Sequence, residues 1–207
     1  LAVEPIRDAF AREWPGAETV NILDDSLSAD RAAATALTPE LTARFDALAA
    51  YAVSIGARAI LFTCSAFGPA IEAIARRMTI PVLKPNEAMF EEALSHGDAI
   101  GMVATFAPSI PTMEAEFRED AARIRPGARI ESRLAAGGMD DLRAGDVATH
   151  NRKVANEAAR LAGADAIMLA QFSTARALET VRAASPLPVL TSPDAAVRKL
   201  RRLIIGS

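Results

Sequence analysis

Three short segments of the chain combine residue types that can do chemistry. Thr63-Cys64-Ser65-Ala66-Phe67 holds the single thiol, Thr105-Phe106-Ala107-Pro108-Ser109 holds two hydroxyls, and Gln171-Phe172-Ser173-Thr174 joins an amide to two more. Each follows an apolar run and precedes a stretch with helical spacing, so each sets polar groups at a helix N-terminus. The free N–H groups and positive dipole end there suit a carboxylate. Ser65, Thr105, Ser109 and Ser173 would add hydroxyl hydrogen bonds. Taken singly, such residues are ordinary helix caps; it is their recurrence at equivalent strand ends that points to a site. Cys64 also has two readings. Cysteine is often a small buried residue, but this one follows its strand and precedes a helix N-terminus, an environment that favours the reactive thiolate. His150, at the start of a predicted helix, reads as a solvated side chain, with an acid beside the site as the alternative. His96, before Gly97, reads as a partner for a helix C-terminus.

Composition removes several function classes. The 207 residues carry 23 Lys and Arg against 26 Asp and Glu, a net charge of −3. Without a basic stretch, the phosphate-neutralising attraction behind nucleic-acid binding is missing. Apolar runs such as Ala57–Phe62 are too short to cross a bilayer, so no membrane partner is expected. The N-terminus lacks a signal-peptide layout, and one cysteine cannot form an internal disulfide, which fits a cytoplasmic location. Two histidines and one cysteine do not make a standard structural zinc site. The 11 glycines form no Gly-x-Gly and no Gly-Lys-Ser/Thr, so dinucleotide and P-loop signatures are missing and no cofactor is expected.

The elements that must position the three segments come from an internal repeat. Gly56-Ala-Arg-Ala-Ile-Leu-Phe-Thr-Cys64 parallels Gly163-Ala-Asp-Ala-Ile-Met-Leu-Ala-Gln171, 107 positions later. Glu72 then falls on Glu179, Pro81-Val82-Leu83 on Pro188-Val189-Leu190, and Ala88 on Ala195. The spacing predicts strands at Ala57–Phe62 and Ala164–Leu169, helices at Ala66–Met78 and Ser173–Ala184, and second strands at Ile80–Leu83 and Leu187–Leu190. Helices follow at Glu87–Leu94 and Asp194–Leu203; Leu41–Ser54 and Arg152–Ala162 feed the first strands. The repeat reaches back to Phe10, the partner of Phe117, and to Pro15-Gly16-Ala17, the partner of Pro126-Gly127-Ala128. In the second half the strand Ala99–Ala104 precedes this stretch. Its first-half counterpart would lie before Leu1, so about one strand is expected to be missing from the sequence. Alternating strands and helices imply an α/β fold of parallel sheets with right-handed crossovers. The duplication implies two pseudo-symmetric lobes, 1–97 and 98–207, with a cleft between them at the strand ends and the last helix packing back on the first lobe.

With Thr-Cys-Ser after one strand, Leu-Ala-Gln-Phe-Ser after its equivalent, and the Gly-x-x-x-Thr turn at Gly101–Thr105, the chain resembles the aspartate/glutamate racemase superfamily over nearly its whole length. That group includes glutamate, aspartate and hydantoin racemases, maleate cis-trans isomerase and arylmalonate decarboxylase. The resemblance implies a cofactor-independent isomerase acting on a small carboxylate. In the family's racemases, cysteines on opposite cleft walls exchange the α-proton. Cys64 takes the first of these positions and Gln171 the second, and glutamine does not exchange a proton at neutral pH. The family's Cys-Asn-Thr is Cys64-Ser65-Ala66 here, and its Cys-Thr-His or Cys-Thr-Glu is Gln171-Phe172-Ser173. Phe172 then implies a more apolar pocket. Three outcomes follow: one-sided proton transfer by Cys64, a one-cysteine decarboxylase or lyase, or a non-catalytic small-molecule binding protein. A homo-oligomer is compatible with each.

Overall fold

A computed structural model describes residues 2–34 and 36–206, with Ser28 and Ala32 described by their backbone alone. Helix α1 (Val3–Glu13) is followed by α2 (Ser26–Ala33), α3 (Pro39–Ser54), strand β1 (Ile60–Leu61), α4 (Gly68–Arg77), β2 (Val82–Leu83) and α5 (Glu87–His96). The second half runs β3 (Ala99–Ala104), α6 (Ile110–Ile124), β4 (Arg129–Leu134), α7 (Gly138–Arg143), α8 (Val147–Ala158), β5 (Ala166–Leu169), α9 (Leu178–Ala184), β6 (Val189–Thr191) and α10 (Ser192–Ile205). Among the described residues two sheets form, both parallel: β1-β2, and β4-β3-β5-β6.

The repeat is written into the pairing. Ile60 and Leu61 lie opposite Val82 and Leu83, while Ile167 and Met168 lie opposite Val189 and Leu190, each 107 positions on. Short 3₁₀ turns, Ser65–Phe67 and Phe172–Ala177, begin at equivalent residues. The strands are shorter than their apolar runs. Pro81 and Pro188 have no N–H for a ladder, so β2 and β6 start beyond them. The helices predicted from Ala66 and Ser173 begin as these 3₁₀ turns, and α8 starts at Val147 rather than Arg152 because Asp146 caps it, accepting from Thr149 N at 3.0 Å. β4 escaped the periodicity reading: Arg129-Ile-Glu-Ser-Arg-Leu134 alternates charged with apolar or small residues, as a sheet edge does. Its first-half counterpart, 18–23, makes no ladder.

Packing joins the halves. α3 starts on a Thr38 cap with Pro39 behind it and buries Leu41, Phe45 and Ala49 at helical spacing. α10 lies against α1 and α5. Thr191 and Asp194 cap its start reciprocally, and the buried Asp194 carboxylate pairs with Arg12 of α1 at 2.6 Å. Arg198 bridges Glu13 of α1 and Glu92 of α5.

β3 sits between β4 and β5, and Leu161 closes over it. A Cβ at Gly101 would meet Leu161 Cδ1 at 2.8 Å, so a side chain at this strand position requires Leu161 to shift. Gly101→Ala is expected to lower unfolding stability by about 1–3 kcal/mol in urea titration. Combined with Leu161→Ala, the loss should be smaller than the sum of the two single losses.

Candidate active site

The loop after β1 carries Cys64 and is pinned on both sides. Phe62 and Phe67 each stack on Phe45 of α3, with ring centroids 5.0 and 4.1 Å apart, and Arg31 Nε donates to Ala66 O at 3.2 Å. Stacking of the three rings adds to the area they bury in holding this loop. Cys64 is half-buried against this cluster, and Ser65 beside it is also half-buried.

At the equivalent point of the second half, Gln171 organises the polar groups. Its Oε1 accepts from Thr105 N at 3.4 Å, Thr105 Oγ1 at 3.2 Å and Thr174 Oγ1 at 3.3 Å, and its Nε2 donates to Ser109 Oγ. A backbone N–H can only donate, so Thr105 N sets which end of the amide faces it. Ser109 in turn donates to Phe106 O at 2.8 Å. Gln171 has φ +69° and ψ 148°, the one non-glycine residue with positive φ among those described. Such backbone is nearly confined to glycine and persists where surrounding contacts over-determine it, often at functional sites.

Apolar packing links the two sheets. Leu61, three residues before Cys64, packs against the apolar cluster containing Ala104 and Ala170, which immediately precede Thr105 and Gln171. It also packs against the cluster of Ile6, Ala9, Phe172 and Val197. A second polar chain links the remaining ends: Ser192, after β6, donates to Asn86 Oδ1 at 3.0 Å, and Asn86, after β2, donates to Glu116 Oε2 of α6 at 3.4 Å. Glu116 reaches toward Gly68, at the start of α4, where a Cβ would lie 3.9 Å from its Oε1. Burial pushes the Glu116 carboxyl above its usual range, opposed by the Asn86 bond and the nearby Lys84 charge. Beyond β3 and β4 opens a cavity of about 290 Å³ that Thr105 helps to line.

Of the sequence-predicted residues, the structure brings Thr105, Ser109 and Gln171 into one network and places Cys64 with Ser65 on the equivalent loop. Ser173 is buried within the 3₁₀ turn. Phe172 is buried between α1 and α10, so it is a packing residue and not the wall of an open pocket. The solvated reading of His150 is overturned: the side chain is 0% exposed. Asn151 Nδ2 donates to Arg176 O, so its Oδ1 receives the His150 Nδ1–H at 2.8 Å, and Nε2 is buried with no hydrogen-bond partner. The ring lies beneath Gly138, where a Cβ would sit 3.7 Å from His150 Cδ2 and 3.1 Å from the Thr105 methyl. Sequence reasoning placed Thr174 in its turn without singling it out, and it missed Asn86, Glu116 and Ser192. Asn86 and Ser192 follow the second strand of each repeat, a signal available but unused; Glu116 had none, because only the fold carries α6 to β2. Among the described residues, no group of three or more His, Cys, Asp or Glu is placed to hold a metal ion, and no helix is long and apolar enough to cross a membrane.

The family model for Asp/Glu/Hydantoin racemase matches residues 6–161. No curated protein sequence matches the chain. Among solved structures, a glutamate racemase from Bacillus anthracis superimposes with TM-score 0.74 at 13% identity, over 99% of this chain and 78% of that one. Allantoin racemase from Pseudomonas fluorescens gives TM-score 0.71 at 18% identity, over 99% and 85% of the two chains. Allantoin racemase from Klebsiella pneumoniae gives 0.68 at 16% identity, over 99% and 82%. Likeness at such identities shows a shared fold.

Two measurements test the geometry of this site. Gln171→Ala and Gln171→Gly both delete the amide, but only glycine relieves the positive φ. The glycine variant should therefore be more stable than the alanine variant by about 1 kcal/mol in denaturant unfolding. For Glu116, a raised folded-state pKa means that the charged form present at neutral pH weakens the fold, while below the ordinary carboxylate range both states are protonated and nothing is lost. Glu116→Gln should raise the melting temperature at pH 7, and the gain should fade by about pH 4.

Proposed function

The chain belongs to the Asp/Glu/hydantoin racemase family, and we propose that within it this protein is a cofactor-independent enzyme moving a proton at one face of a small carboxylate or related carbonyl compound through Cys64. The observation that carries this reading is the state of Gln171. At the repeat position equivalent to Cys64 stands an amide that neither gains nor loses a proton at neutral pH; its oxygen accepts from Thr105 and Thr174 and its nitrogen donates to Ser109. The Cys64 thiolate takes the α-proton: the C–H bond breaks, S–H forms, and the electron pair passes into the carbonyl as an enolate. The same sulfur returns a proton to the same face, so exchange with solvent proceeds with retention. Ser65, on the Cys64 loop, is the proposed carboxylate-orienting hydroxyl; the Thr105 and Ser109 hydroxyls, which donate to Gln171 Oε1 and Phe106 O, would turn to a carboxylate only by giving up those bonds. Ser173 and Phe172 shape the turn that carries Gln171. His150 supports Thr105 from beneath Gly138.

The Gln171 amide also favours a second reading, in which carbon dioxide leaves to generate the carbanion and Cys64 only protonates it. That reaction needs no second base.

Incubation of the full chain in deuterium oxide with separate enantiomers of amino acids tests the first reading. Deuterium should enter one enantiomer without its conversion to the mirror image. Cys64→Ser should lower this exchange by about 100-fold or more while the melting profile stays native, since serine supplies no thiolate. Rapid exchange of both enantiomers would require a second base and would overturn the one-sided mechanism.

A further inference from the structure

The cavity beyond β3 and β4 has a composition of its own. Phe106, Leu134 and Met139 line it, with Ala136 between the strand end and α7. Phe106 and Leu134 are exposed at 44% and 37%, which leaves large apolar surface in water beside the polar Gln171 network. The charged groups lining the cavity are Asp140 and Arg143, solvent-exposed and 3.7 Å from one another. Arg143 is therefore already opposed by a carboxylate, and an incoming anion would meet Asp140 as well. Thr105 belongs to both places: its hydroxyl bonds Gln171 and the residue is part of the cavity lining. About 290 Å³ lies at the low end for a small-molecule site, room for one substituent of a substrate held elsewhere.

We infer that this cavity takes the apolar substituent of the substrate, so that the substrate is an α-substituted acid bearing an alkyl or aryl group and not a second carboxylate. This rests on the reading of Cys64 and the Thr105–Gln171 network as the proton-transfer site. Burying an alkyl or aryl group against Phe106, Leu134 and Met139 gains the transfer free energy of that group, whereas a side-chain carboxylate would gain no such term and would share the exposed Arg143 with Asp140.

The test compares solvent-deuterium exchange of leucine and phenylglycine with that of aspartate, glutamate and alanine, using the full chain. Leucine or phenylglycine should exchange about tenfold or more faster than aspartate and glutamate. Ala136→Trp, which fills the cavity from an exposed turn, should lower the leucine-to-alanine rate ratio about tenfold; Met139→Trp serves where that variant does not fold. Faster exchange of aspartate or glutamate, or an unchanged ratio in the filled variants, would overturn the cavity assignment while leaving the Cys64 reading standing. Absence of exchange with every acid would overturn the Cys64 reading instead. A binding arm then decides the cavity alone: phenylacetate should shift the Met139 methyl resonance in the parent chain and not in Ala136→Trp. No shift in the parent would overturn it.

Discussion

Parallel pairing through β3 is the constraint on which the candidate site depends. β3 meets β4 on one side and β5 on the other, and parallel strands bring all their carboxyl ends to one edge. Thr105 is thereby set beside the end of β4 and opposite the turn that carries Gln171. Gly101 makes this possible, because Leu161 occupies the space a side chain would need. A one-residue change of register would send Thr105 to the other face and separate it from the amide that now accepts from its N–H and hydroxyl.

The amide is held in a conformation its own backbone disfavours. Gln171 combines positive φ with bonds to Thr105, Thr174 and Ser109, so neighbouring strand ends offset local strain. The first-half loop is held differently, by the stacking of Phe62 and Phe67 on Phe45. One half thus presents a thiol on an apolar clamp and the other a neutral amide in a polar network. The two halves share the strand pairing but differ at the strand ends in chemistry and in backbone, extended at Cys64 and of positive φ at Gln171.

Helices from opposite ends of the chain close the structure. α1 and α10 pack on one another, and the buried Asp194 carboxylate receives both Thr191 and Arg12. Loss of Arg12 would leave that charge buried with less compensation, a larger effect than loss of an exposed pair such as Arg182 with Glu179. Phe172, Ile6 and Val197 fill the same contact, which ties the turn bearing Gln171 to both chain ends.

The sequence by itself determined the alternation of strands and helices, the equivalence of Cys64 with Gln171, and the placement of hydroxyls after strands. These follow from apolar periodicity and from a repeat that preserves spacing, both local properties of the chain. Strand lengths were less legible, since Pro81 and Pro188 trim them, and β4 was hidden because an edge strand keeps charged residues. Only the tertiary structure decided that Gln171 bonds Thr105, 66 positions away, that His150 is buried, that Phe172 packs between two helices, and that Glu116 meets Asn86. Each of these depends on which helix face turns inward and which strand ends become neighbours. Long-range packing chooses among arrangements that local spacing leaves equally open.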